Sequence, residues 1–205
     1  MENKIKAGKF LSLIIIAAAI AVIAGWVFNI PLLTSFSPDW VSMKISTAIC
    51  FLLSGVSLYY MAKALEGDVE TAQIVLFIST LIIMLLMGTL FFSGLLGVRT
   101  GIEDLFVKDA AGAVKSVTPG RPSLPTMLNF ILMSIAAILT LVNGKGLHVA
   151  QRTIGIVIGL IGAIAITGYI IGAPALYYYF EGINSAIALN TACLFVLLGA
   201  GLLCL

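Results

Sequence analysis

Charge is what this sequence has least of. Lysine and arginine number 11 and aspartate and glutamate 9 in 205 residues, so 10% of the chain is charged, against about 25% in a soluble globular domain. That scarcity excludes an ordinary water-solvated surface. A formal net charge of +2 says little about partners, and no nucleic acid is expected among them. The single histidine, His148, sits in a polar connection and cannot supply the two axial imidazoles of a membrane haem. The three cysteines, Cys50, Cys193 and Cys204, lie inside apolar stretches without paired spacing, so they read as small packing residues rather than disulfides or metal ligands. Paired carboxylates, a Cys/His set and a glycine-rich phosphate loop are all missing. The chain is therefore expected to have no catalytic residues, metal or cofactor, and to be no enzyme. The apolar stretches also lack central ionisable residues, which argues against coupled ion or proton transport.

What is abundant is hydrophobic sequence, 61% of the chain, with mean hydropathy +1.17. Windows near 10–30, 43–64, 72–93, 124–142, 153–173 and 185–205 each approach the roughly 17–25 residues that cross a bilayer. The expected fold is an all-α integral membrane domain with six transmembrane helices, filling 1–205 as a single unit. The N-terminal apolar run is longer than the roughly 7–15 residues of a signal-peptide core, and it reads as an uncleaved first helix.

The spans share a pattern. Thr47-Ala48-x-x-Phe51-x-Leu53-x-Gly55 is matched by Thr126-Met127-x-x-Phe130-x-Leu132-x-Ser134 and by Thr191-Ala192-x-x-Phe195-x-Leu197-x-Gly199. Threonine, phenylalanine and small residue stand at i, i+4 and i+8, one stripe of a helix. Upstream, Gly25 precedes Pro31, Gly168 precedes Pro174 and Gly88 precedes Gly94, each by six residues. The reading is three repeated helical hairpins, about 10–64, 72–142 and 153–205, with an extra segment of about 99–121 in the middle one.

Orientation follows from lysine and arginine in the short connections. Lys4, Lys6, Lys9, Lys63, Lys145 and Arg152 fall on one side; Lys44, Arg99, Lys108, Lys115 and Arg121 fall on the other. The dense N-terminal cluster puts both termini in the cytoplasm of a multi-pass inner-membrane protein. Lys44 and Lys63 are placed to snorkel at the ends of the second span. Trp26, Trp40, Phe91-Phe92, Tyr169 and Tyr177 through Phe180 collect near the proposed outer ends, where aromatic rings prefer the headgroup layer.

Candidate functional residues are few. Thr47, Thr126 and Thr191 begin their helices at the outer boundary and would line a shared polar site. Equally, each hydroxyl could bond a preceding carbonyl or cap its helix. Gly55, Ser134 and Gly199 suit close helix packing. Asn129 lies a turn inside the fourth span, as interhelical glue or as a ligand contact. Arg99, Glu103, Asp104 and Arg121 form the mixed-charge cluster of the insert, either binding a small ligand or pairing weakly in solvent. Ile102, Leu105 and Phe106 would share the apolar face of a short interfacial helix, with Glu103, Asp104 and Lys108 turned to water.

Pro31-Leu32-Leu33, Pro38-Asp39-x-Val41-x-Met43-Lys44-x-x-Thr47-Ala48, Gly101-Ile102-Glu103-Asp104-Leu105, Pro119-Gly120-Arg121-x-Ser123-x-x-Thr126-x-x-Asn129-Phe130 and Asn190-Thr191-Ala192 resemble the six-helix membrane regions at the N-termini of bacterial and archaeal sensor histidine kinases and diguanylate cyclases. The family tends to have Asp at Glu103, Met at Pro122 and Ala at Met127. The resemblance implies a sensory input module of a signal-transduction protein such as a two-component system. Its partners would be the lipid bilayer, a cytoplasmic signalling domain in cis, a second copy forming a homodimer and an unknown small ligand. The dimer contact would fall at Gly199-Ala200-Gly201. The chain stops inside an apolar helix, and is expected to be part of a longer protein. A small transporter or channel, or a structural membrane assembly protein, is the alternative.

Overall fold

The computed structural model describes residues 2–37, 39–106, 118–142, 147–178 and 185–205. Lys108, Lys115, Lys145, Tyr179 and Phe180 lie outside them, as does the last part of the insert's proposed interfacial helix. The described chain is helical, without strands. Its main helices are α1 (Glu2–Val27), α2 (Ile45–Leu65), α3 (Val69–Leu95), α4 (Leu124–Leu141), α5 (Leu147–Ile170) and α6 (Leu189–Cys204). The first five are long and apolar enough to cross a membrane; α6 is apolar but has 16 residues, a rise of about 24 Å. Exposed Leu13, Ile20, Phe77, Ile138 and Leu160 give the bundle an apolar exterior compatible with a membrane, where lipid takes the place of water.

Helix ends follow local chemistry. Asn29, Gly97 and Gly172 carry φ of 53°, 66° and 66°, the left-handed conformation that stops α1, α3 and α5. Each stop is closed by a backbone bond reaching five residues back: Ile30 to Gly25 (2.8 Å), Val98 to Ser93 (3.0 Å) and Ala173 to Gly168 (2.8 Å), as in a Schellman motif. The middle stop is therefore anchored at Ser93, five residues beyond Gly88, the position read from sequence as the counterpart of Gly25 and Gly168. A Cβ on Gly25 or Gly168 would press on Leu33 or Leu176 at 2.7 Å, whereas one on Gly88 would meet nothing within 4 Å. Gly88 instead ends a π-helical stretch, Met84–Gly88, inside α3.

The helices form a ring, each packing on its sequence neighbours, and α6 returns to α1. Within it α2 also packs on α4 and α6. Small residues set the closest approaches. A Cβ on Gly199 would stand 2.5 Å from the Gly155 carbonyl of α5, and one on Gly55 would meet the Ser12 carbonyl of α1 at 3.2 Å. Polar pairs join other seams: Ser57 and Ser79 hydroxyls at 2.7 Å between α2 and α3, and the Gln151 amide donating to Thr140 (2.6 Å) and the Ala136 carbonyl (3.2 Å) between α5 and α4.

At the centre, Phe51, Phe130 and Phe195 close on one another, with ring centroids 4.8, 4.8 and 5.3 Å apart. All three are completely buried. Gly199 and Gly201 are buried too, the first against α5 and the second against Leu58 of α2. Both glycines therefore already pack within the chain, leaving Ala200 as the part-exposed member of the Gly199-Ala200-Gly201 stretch expected to contact a second copy.

Candidate functional site

One end of the bundle gathers the beginnings of α2, α4 and α6. Their first residues follow Lys44, Ser123 and Ala188, whose backbones are extended at φ/ψ of −68/147°, −68/152° and −69/149°. Three residues on, Thr47, Thr126 and Thr191 stand in the first turns, each 2% exposed. The three threonines line one cavity of about 10 Å³ together with Lys44, Arg121, Ser123, Met43 and Ala188. That is room for about one water. One helical turn further along the same helices, the three phenylalanines pack on one another.

The hydroxyls do not all do what threonines at helix starts usually do. The carbonyl four residues before Thr47, that of Met43, accepts the Trp26 indole N–H at 2.8 Å. The one four residues before Thr191, that of Ile187, accepts the Tyr169 phenol at 2.9 Å. Aromatic donors from α1 and α5 thus occupy the carbonyls to which the threonines would bond back. The Thr126 hydroxyl pairs with Ser123 at 2.7 Å, and Ser123 accepts the Thr126 N–H at 3.3 Å as a helix cap. The Thr47 and Thr191 hydroxyls make no hydrogen bond among the described residues. The carbonyl-bonding reading of the sequence therefore fails for both.

The mixed-charge cluster divides in two. Arg99 and Asp104 pair at 3.2 Å at the surface, where such a contact contributes about 0–1 kcal/mol. Arg121 and Glu103 pair at 2.5 Å with side chains only 10% and 0% exposed, which corrects the expectation of a solvated loop for these two. Glu103 Oε2 also accepts the backbone N–H and hydroxyl of Thr100, both at 3.2 Å, and Arg121 Nη2 donates to the Val98 carbonyl at 2.5 Å. Gly120 rests on the Glu103 carbonyl where a Cβ has no room. Burial is the strongest single influence on Glu103 and disfavours its ionisation. The Arg121 hydrogen bond, the backbone, the Arg121 charge and Thr100 outweigh it, holding the carboxyl below the usual glutamate range.

The one-turn helix Ile102–Asp104 turns the opposite way to the amphipathic reading. Glu103 points inward, while Leu105 and Phe106 are 63% and 45% exposed, because the buried guanidinium draws the carboxylate in. Lys44 is likewise 5% exposed and lines the cavity, so it does not snorkel at a boundary. Asn129, fully buried on α4, has neither amide atom hydrogen-bonded among the described residues, so the glue expected of it finds no partner among them. Ser134 returns its hydroxyl to the Phe130 carbonyl at 3.1 Å.

Sequence reasoning missed Lys44, Ser123, Trp26 and Tyr169. Ser123 was findable as a serine just before Leu124-Pro125, a helix-start signature. The aromatic donors carried no signal beyond their place near the span ends. Among the described residues no cluster of histidine, cysteine or carboxylate could hold a metal. What the site offers is donors: hydroxyls, cationic side chains and the N-terminal amides of three helices. Comparison with protein-family models, curated proteins and solved structures returned no match.

Proposed function

We propose that this chain is a membrane-embedded sensory input module, crossing the bilayer six times as a triplicated helical hairpin with both termini in the cytoplasm. The observation that carries the reading is the convergence of three matching threonines over three matching phenylalanines, beside a buried arginine tied to the middle hairpin's connection. Three helices meet at one small polar point. A change in what that point holds would alter the packing of α2, α4 and α6 together.

The route out runs along α6. It packs against α5 through Gly199 and Gly155 and against α2 through Gly201 and Leu58. Near its end it meets α1, where a Cβ on Gly8 would stand 3.6 Å from the Gly201 carbonyl. Signalling requires two arrangements of these contacts, biased by a stimulus that binds one better. A swing from 1:99 to 99:1 needs about 5.5 kcal/mol of differential binding. The resemblance to sensor regions supplies the expected output, a cytoplasmic signalling domain in cis, and the expected homodimer.

In the full-length protein, Thr47→Val with Thr191→Val should shift basal or stimulated output. Output identical to wild type under every stimulus would remove the threonine site from signalling. Single-cysteine labelling, with Cys50, Cys193 and Cys204 replaced, should find residue 112 outside and residue 4 inside; finding both on one side would sink the topology.

A further inference from the structure

We infer that the threonine cavity is a small-anion site, taking a halide or a single oxygen of a small carboxylate. The inference rests on the reading of this point as the stimulus site and names the chemistry it would accept. Three observations support it independently of one another.

The first is electrostatic. Lys44 and Arg121 line the cavity, and the N-termini of α2, α4 and α6, helices of 21, 18 and 16 residues, start around it. Each such end carries roughly half a positive elementary charge. No carboxylate lines the cavity among the described residues, and Glu103 is engaged by Arg121. The Arg121 charge is offset by Glu103 and Lys44 has a partner of its own, so the bias toward an anion comes from the three helix N-termini.

The second is unmet donor capacity. Thr47 and Thr191 are 2% exposed and their hydroxyls bond nothing among the described residues, while the Met43 and Ile187 carbonyls four residues before them accept from Trp26 and Tyr169. The Nε of Arg121, also buried, has no acceptor. Buried donors normally find an acceptor, and here one donor on each of three lining residues has none among the described residues. An anion is an acceptor without donors of its own.

The third is size. About 10 Å³ of cavity admits one atom of roughly water size. That space is smaller than a tetrahedral sulfate or phosphate. A halide or one carboxylate oxygen can enter.

The test uses the whole chain in nanodiscs of zwitterionic lipid, in gluconate buffer at fixed ionic strength. Chloride binding is read by ³⁵Cl NMR line broadening, with sodium acetate and sodium sulfate as competitors. Wild type should broaden the line saturably, and sulfate should not compete. Acetate competition would extend the site to carboxylates; its failure would restrict the site to halides. Thr47→Val with Thr191→Val should weaken binding at least about tenfold, since a hydrogen bond to a charged group is commonly worth that much. Thr47→Ser with Thr191→Ser should keep it, and Thr153→Val, at an exposed threonine on α5, should leave it unchanged. Absence of saturable broadening in wild type overturns the inference whether or not any variant folds; so does broadening that survives the valine pair. Lost anion binding with threonine-dependent output would sink the anion and spare the input role. Anion binding without any effect on output would do the reverse.

Discussion

Glu103→Ala is the sharpest perturbation the structure offers. The residue's side chain is fully buried and bonds three donors: Arg121 Nη2 at 2.5 Å and the Thr100 N–H and hydroxyl at 3.2 Å. Truncation leaves the Arg121 guanidinium nine-tenths buried with the Val98 carbonyl as its remaining acceptor among the described residues. Stranding one member of a buried pair costs about 3–5 kcal/mol. Glu103→Gln keeps the volume and one acceptor oxygen, but removes the charge and replaces the other acceptor with an amide NH2, so its cost should be about 1.5–3 kcal/mol. Replacing both partners by apolar residues, Glu103→Leu with Arg121→Met, should return stability to near wild type, because the pair's own desolvation disappears with it.

Reversible unfolding in bicelles by steric trapping measures these differences, and pH supplies a control with a fixed sign. Because the Glu103 carboxyl is held below the usual glutamate range in the folded protein, its contribution is complete above that range. It is lost as pH falls through the lowered value. The gap between wild type and Glu103→Gln should therefore narrow on acidification. Glu103→Ala within about 0.5 kcal/mol of wild type, or a gap that widened in acid, would refute the buried-pair argument.

Other perturbations separate packing from function. Phe130→Ala should cost about 3 kcal/mol, the low end for such a truncation because lipid rather than water solvates the separated helices; the same unfolding assay reads it, and a cost under about 1 kcal/mol would mean the aromatic trio is loosely packed. Gly199→Ala should cost about 1–3 kcal/mol by forcing α5 and α6 apart, while Gly88→Ala, with open space at its Cβ, should be neutral or stabilise by up to about 1 kcal/mol. Asn129→Leu should stabilise by about 1–3 kcal/mol by removing unpaired buried amide atoms; destabilisation would show that the amide has a partner such as water or ligand.

The all-helical plan was legible because apolar runs and their breaks are long-range composition signals that survive any detail of packing. The Thr-x3-Phe stripe was legible as a stripe, and its convergence is a tertiary fact. Nothing local says that Phe51, Phe130 and Phe195 touch rather than face three different seams. Charged residues were the least readable. Glu103 belongs to an amphipathic pattern with Leu105 and Phe106 outside water, but one buried guanidinium reverses that face. Lys44 looked like a boundary lysine because its position beside a span is all the sequence shows. Gly88 misled for a different reason: a six-residue spacing to Gly94 imitates the helix stop, while the backbone bond that makes the stop comes from Ser93.

The middle hairpin departs from its neighbours at a definable atom. Four residues before Thr47 and Thr191, Met43 and Ile187 donate their backbone N–H to the carbonyls of Thr34 (2.9 Å) and Tyr177 (2.8 Å), pinning each connection to the bundle. Four residues before Thr126 stands Pro122, which has no N–H to give. The preceding residue takes over with a side chain: Arg121 reaches the Val98 carbonyl and Glu103, on the far side of the insert. A backbone bond holds two chain segments at one distance, whereas an ion pair can be broken by a proton, by a competing anion or by a pull on the loop. Among the described residues, the hairpin with the long polar connection is thus held at this point by an ion pair where the other two are held by a backbone hydrogen bond. That fastening lines the same cavity as the three threonines, so anything that loosens it changes the charge and the donors presented there.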